Sequence, residues 1–337
     1  MPQPQPSNLN VQRVRHAWLR VVLAAGLALA WSGWFAAGLA QEATSVCRDA
    51  TATPSSDDDV WLVSTRHLPG ICRLPAAANV MVEHRGGDGR WHRSTTAELL
   101  SAADRPLVVF IHGNRYDAGD ARQQGAQLAR QLASYSPAAG PARTVIFSWP
   151  SEQQGILLKD GRAKHDRARA DAHYLAWLLG QVEPTRPVAV VGYSFGAIIS
   201  LGAMNDLVAA ERAGRSDVQP WTHRAAATNF VLIAPAVRCD ALAPQGPYRN
   251  SVECIDRLTL VINSRDDALR FFPLLERNLR ADALGYVGMP RRWLPPQLAF
   301  TATDGAAIIG KHHGLPLYLA SPTLTRTIAS GVLDGLQ

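Results

Sequence analysis

Read as a pattern of apolar and polar positions, the chain changes character near residue 60. From there, short apolar runs alternate with stretches of helical spacing. WLVSTR (61–66) and NVMVEHR (79–85) come first, the second closing on a Gly86-Gly87-Asp88-Gly89 turn. LVVFIH (107–112), bounded by Pro106 and Gly113, is continuously apolar, as suits a strand covered on both faces. Residues 118–135 carry Ala126, Leu128, Ala129, Leu132 and Ala133 at helical spacing. TVIFSW (144–149), a helix near 164–182, PVAVVGY (187–193) and a helix opening at Ser194 follow. NFVLIA (229–234), LTLVINS (258–264), a helix around 268–281, LAFTAT (298–303) and a helix near 322–334 complete the series. All-apolar strands alternating with helices predict one α/β domain over residues 60–337, a mostly parallel central sheet of about eight strands with helices on both faces.

Residues 1–40 do not fit this pattern. A Pro- and Gln-rich opening leads through Arg13, Arg15 and Arg20 to an uncharged stretch, residues 21–40, and Gly38 and Ala40 supply small residues before Gln41. These are the parts of a secretory signal peptide. Twenty apolar residues also suffice to cross a bilayer, so a retained N-terminal membrane anchor is the second reading. Under both, the arginines stay inside and the body is exported, periplasmic or extracellular, with a tether to the inner membrane if residues 21–40 are uncleaved. Residues 41–59, ending in Ser55-Ser56-Asp57-Asp58-Asp59, read as a polar linker.

Composition narrows the function. Of 337 residues, 47% are apolar and 18% charged, which excludes general disorder. The formal charge of +6 owes half its value to the three arginines of the first forty residues. The remainder is spread without a basic block, so no nucleic-acid partner is expected. Cys47, Cys72, Cys239 and Cys254 are an even set in a chain read as exported, and suggest two disulfides. Three pairings are open, the simplest being 47–72 with 239–254. No metal or cofactor motif is present, and Gly305–Lys311 falls one residue short of a phosphate-binding loop.

Gly192-Tyr193-Ser194-Phe195-Gly196 is G-x-S-x-G between an apolar strand and a helix. This is the context of a nucleophile elbow, a turn so tight that its flanking positions, Gly192 and Gly196, tolerate no side chain. Ser194 needs a base and an acid to orient that base, in the chain order serine, acid, histidine. Arg265-Asp266-Asp267 follows a strand and offers Asp266, with Asp267 as alternate, although acids at that place also cap helices. Lys311-His312-His313-Gly314 follows the last strand. His313 is preferred as base because the next glycine lets the loop approach the serine, and His312 is the alternate. His-Gly at 112–113 ends the strand expected beside the elbow, so the oxyanion donors are assigned to the N–H groups of Asn114 and Phe195.

LVVFIHGNRYDAGDARQQGAQLA, VIFSWPSE and GYSFG together resemble the bacterial α/β-hydrolase group related to the DUF900 putative serine esterases. The resemblance covers roughly residues 60–335. It extends to Phe147-Ser148-Trp149-Pro150-Ser151 at a strand end and to Arg265-Asp266-Asp267-Ala268-Leu269, where it favours Asp266 as the acid. It implies the α/β-hydrolase fold and a serine hydrolase. No large lid insertion is evident in the sequence, so the expected substrate is a small-molecule ester or lipid-like molecule, and with no cofactor motif none is expected. Residues 151–163 would line an acyl pocket, form a small flap, or be a plain loop. From another class, the alternative is a catalytically silent scaffold serving as an envelope binding protein. Oligomeric state is not legible in the sequence.

Overall fold

The computed structural model describes residues 59–336 except 102, 136–141, 156 and 276–280. The segment read as an export signal, residues 41–58 of the expected linker and Cys47 lie outside the described residues. Among the described residues nine strands form one sheet in the order β3-β2-β1-β5-β4-β6-β7-β8-β9. They are β1 (Val60–Ser64), β2 (Met81–Arg85), β3 (Trp91–Ser94), β4 (Leu107–Ile111), β5 (Arg143–Ser148), β6 (Val188–Tyr193), β7 (Thr228–Ile233), β8 (Arg257–Ile262) and β9 (Ala299–Asp304). From β1 through β9 every pairing is parallel, whereas β2 and β3 add an antiparallel edge. β3 exceeds the expected eight strands. Its sequence, WHRS, is four residues long and partly exposed, so it carries no apolar run to announce it.

Four helices of twelve or more residues cover the sheet among the described residues: α1 (Ala118–Tyr135), α2 (Leu157–Leu179), α3 (Gly196–Arg212) and α4 (Pro322–Leu333). α1 packs with α4, and α2 with α3. Two glycines show which pair takes which face. Gly125 of α1 lies over Ile146, whereas Gly192 of the sheet turns toward Ser200 of α3. Ile146 pairs with Phe110, and the next position, Ile111, pairs with Gly192, so the two contacts lie on opposite faces. Coverage from both sides explains why β1, β4, β5, β6 and β7 are buried at every position.

Three expectations change. Among the described residues, the helix read over 268–281 is reduced to Asp267–Arg270, followed by a 3-10 turn, Phe272–Leu274. Pro273 has no N–H to extend the ladder. α2 begins at Leu157, so most of the segment read as flap or loop is the first turns of a long helix. Asp59 is no linker residue: it is buried, accepts from Trp61 Nε1 at 2.7 Å and pairs with Arg143 at 2.9 Å.

The expected 239–254 disulfide is not formed. Cys254 is buried at the end of the 3-10 turn Arg249–Cys254, which packs on α3, and its thiol donates to Ser251 O at 3.3 Å. Cys239 is free and held elsewhere, its backbone N–H donating to Asp282 O at 2.8 Å. Local backbone structure thus commits the two thiols to different surroundings. Burial pushes the Cys254 thiol pKa up, which makes it inert rather than reactive. Cys72 is an exposed free thiol. Among the described residues no helix is long and apolar enough to cross a membrane.

Candidate active site

β4, β6, β8 and β9 deliver their loops to the same carboxyl-terminal edge of the sheet. The chain steps from β4 to β5 in one direction and from β6 through β9 in the other, so the loop after β4 and the elbow after β6 flank the reversal. Such reversals open a crevice above a parallel sheet.

Ser194 occupies the elbow with φ of 53°, the left-handed region that an L side chain enters only under constraint. Its N–H donates to Ile233 O and its carbonyl accepts from Ala236 N–H, which fix the turn from the neighbouring strand. The glycines are required by contact. A Cβ at Gly196 would lie 2.2 Å from Ile111 O, and one at Gly192 2.7 Å from Ser200 Oγ. At Gly113 it would lie 3.0 Å from Ser194 Cβ, so the loop after β4 can approach the serine only without a side chain there.

His313 Nε2 stands 2.8 Å from Ser194 Oγ, and its Nδ1 stands 2.6 Å from Asp266 Oδ2. A carboxylate accepts, so Nδ1 carries the proton and the Nε2 lone pair faces the serine hydroxyl. Asp266 is fully buried, and its Oδ1 accepts from the N–H groups of Ala268 and Leu269. The residue therefore caps a helix and orients the imidazole at once; the two readings of this acid are one geometry. Of the alternates, Asp267 and His312 are both exposed and are not in this chain of hydrogen bonds. His312 contributes its carbonyl, which accepts from Asn263 Nδ2 at 3.0 Å.

The histidine loop is tied down by groups that the sequence reading left unassigned. Asn263 Nδ2 also donates to Gly310 O at 2.9 Å. Tyr193, the variable position before the nucleophile, donates its hydroxyl to His313 O and stacks on the His313 ring at 5.4 Å. Burial raises the Tyr193 pKa well above 10, so it remains a donor.

Asn114 and Phe195 follow the carboxyl ends of the neighbouring parallel strands β4 and β6. Phe195 opens α3, and neither N–H donates to a backbone carbonyl among the described residues. Two residues before Asn114, His112 is fully buried between the rings of Tyr116 at 5.1 Å and Trp149 at 5.8 Å. Its Nδ1 lies 2.9 Å from Gly113 O, and its Nε2 lies 3.2 Å from Trp149 N. Burial, reinforced by the charge of Arg66, pushes its pKa down to about 3, so the ring is neutral. Ser151 finishes the frame: its hydroxyl accepts from Tyr116 N–H at 3.1 Å, and its carbonyl from Arg115 N–H at 2.8 Å. The Phe-Ser-Trp-Pro-Ser strand end is thus the seat of the loop after β4. The motif was visible in sequence, but its task was not.

Residues 91–293 match the family described as alpha/beta hydrolase of unknown function, DUF900. The chain belongs to this family. The DUF900 match spans the elbow and Asp266 but stops short of His313 and starts after β1 and β2. This α/β hydrolase has esterases among its structural neighbours. A Listeria innocua gene product aligns with 13% identity and TM-score 0.37, over 68% of this chain and 95% of its own. Esterase B from Lactobacillus rhamnosis aligns with 12% identity and TM-score 0.34, over 94% and 92%. EstE1, a thermophilic carboxylesterase cloned from a metagenomic library, aligns with 14% identity and TM-score 0.35, over 79% and 88%. No curated protein matches the chain.

Proposed function

We propose that this DUF900 hydrolase cleaves carboxylic esters by acyl transfer through Ser194, with His313 as general base and Asp266 as its orienting acid. The observation that carries the reading is the unbroken chain from Ser194 Oγ to His313 Nε2 at 2.8 Å and from Nδ1 to Asp266 at 2.6 Å. Ser194 Oγ attacks the ester carbonyl while His313 Nε2 takes its proton, and the N–H groups of Asn114 and Phe195 hold the developing oxyanion. Collapse breaks the ester C–O bond, and the imidazolium returns the proton to the departing alkoxide. Water, deprotonated by the same nitrogen, then hydrolyses the acyl-enzyme and restores Ser194. Each oxyanion donor contributes about 3–4 kcal/mol to lowering the barrier.

The test is labelling by a fluorophosphonate and hydrolysis of p-nitrophenyl butyrate, comparing the wild type with Ser194→Ala. Expected are labelling and turnover that vanish together in the variant. A folded wild type that neither labels nor turns over would overturn the enzyme and leave a binding scaffold on the same fold.

We further propose that residues 1–40 export the domain to the periplasm or the medium, supported by the arginines ahead of the apolar stretch and the small residues before Gln41. N-terminal sequencing of the protein recovered outside the cytoplasm tests this. A start at Gln41 indicates cleavage, an intact start in the membrane fraction indicates a tether, and recovery only from the cytosol overturns the proposal.

A further inference from the structure

Arg66 follows β1, outside the segment matched by the family. From the end of β1 its guanidinium reaches two further strand ends, those of β5 and β4. Nε donates to Ser148 Oγ at 2.8 Å and Nη1 pairs with Glu152, both after or within the end of β5. Nη2 donates to Tyr116 O at 3.2 Å and Asp117 O at 3.0 Å in the loop after β4, and stands 3.4 Å from His112 Nε2. The Arg66 side chain is 14% exposed, so its charge is set deep in this frame.

The protonation of His112 follows from its partners. Gly113 O can only accept, so Nδ1 must carry the hydrogen. Trp149 N–H can only donate and the Arg66 guanidinium beside it is cationic, so Nε2 must stay unprotonated, with its lone pair toward Trp149 N–H. The Gly113 carbonyl held by Nδ1–H belongs to the same planar unit as the Asn114 N–H, and among the described residues no peptide bond is cis. In a trans peptide the two groups point opposite ways, so gripping the carbonyl aims the N–H. A hydrogen bond to the carbonyl also polarises that N–H into a better donor.

Resting on the reading of Asn114 as an oxyanion donor, we propose that Arg66 is a positioning residue of the reaction: it clamps the Tyr116 and Asp117 carbonyls and backs His112 Nε2 with its charge, so that the Gly113–Asn114 peptide presents its N–H to the acyl oxygen. Lysine cannot substitute, because a single ammonium cannot span Ser148, Glu152 and the loop carbonyls together.

The experiment compares the full-length wild type with Arg66→Lys and Arg66→Ala, using p-nitrophenyl butyrate turnover, with and without added guanidinium, and nitrogen-15 NMR of the His112 ring. Expected is a kcat about 10–100-fold lower with KM within about threefold, since an oxyanion donor acts on the transition state. Guanidinium should restore Arg66→Ala several-fold and leave the wild type unchanged. In the wild type and in the variants alike the His112 ring should carry its proton on Nδ1, because Gly113 O and Trp149 N–H hold that tautomer without Arg66. A folded variant with unchanged kcat, or one whose loss guanidinium does not relieve, would make Arg66 a fold staple only. Should the variants not fold, an Nε2–H tautomer in the wild type overturns the proposal by itself. Failure of the esterase reading is separate: it appears as an inactive, unlabelled wild type whatever the NMR reports.

Discussion

Asp266 serves His313 with one oxygen and the backbone with the other. Oδ2 takes the imidazole Nδ1–H at 2.6 Å, while Oδ1 caps the helix Asp267–Arg270 through two N–H groups. The cap holds the carboxylate at a fixed rotation, and that rotation sets the tautomer and aim of the ring.

Two substitutions separate these duties. Asp266→Asn keeps a capping oxygen but removes the charge that holds the Nδ1–H tautomer, so ester hydrolysis should fall on the order of 10³–10⁴-fold with little change in melting temperature. Asp266→Ala should lose comparable activity and, in addition, about 1 kcal/mol of stability from the missing cap. Steady-state kinetics and urea titration of both variants check this. Equal stability loss in the two would contradict the capping role.

The neighbouring twins give the control. Asp267 and His312 are exposed and stand outside the Ser194–His313–Asp266 chain. Asp267→Ala and His312→Ala should keep kcat/KM within about twofold of the wild type, as exposed substitutions generally do, whereas His313→Ala should lose at least about 10³-fold.

Asn263 acts on the same histidine from a distance. Its amide bridges the carbonyls of Gly310 and His312 from the end of β8. Asn263→Ala strips partners from two carbonyls and should cost about 1–3 kcal/mol in stability. It should also lower kcat by about tenfold or more, because a small displacement of a reacting group is expensive. Tyr193→Phe removes one bond to His313 O and should do less. The same urea titration and kinetics read both effects.

A pH dependence follows from His112. Its folded pKa of about 3 lies below the value of about 6.5 expected in the unfolded chain. Below about pH 6.5 the unfolded state therefore binds a proton that the folded state refuses, and stability falls as pH drops, by up to about 1.4 kcal/mol per pH unit until the folded pKa is reached. Urea titrations between pH 7 and 4 should show a shallower fall for His112→Gln than for the wild type. Parallel curves would remove His112 from the acid lability.

Alkylation in denaturant without reductant tests the thiols. Cys239 and Cys254 should each take one adduct, because they are not bonded to one another. Recovery of a peptide pair joined through these two residues would contradict the structure.

What the sequence by itself determined is whatever burial and local backbone geometry write along the chain. All-apolar runs declared the central strands, the glycines around Ser194 declared a turn with no room for side chains, and the order serine, acid, histidine declared a triad to be sought. Short or partly exposed elements escaped, as with β3, and Pro273 cut a helix that spacing alone extended. The choice between His312 and His313 needed the tertiary structure, since both neighbours occupy one loop and only its docking through Asn263 and Tyr193 turns one ring toward the serine. So did the frame of Arg66, His112 and Trp149, and the separation of Cys239 from Cys254. These depend on side chains that packing brings together from different strand ends, or keeps apart within one loop, and no local pattern records such distances.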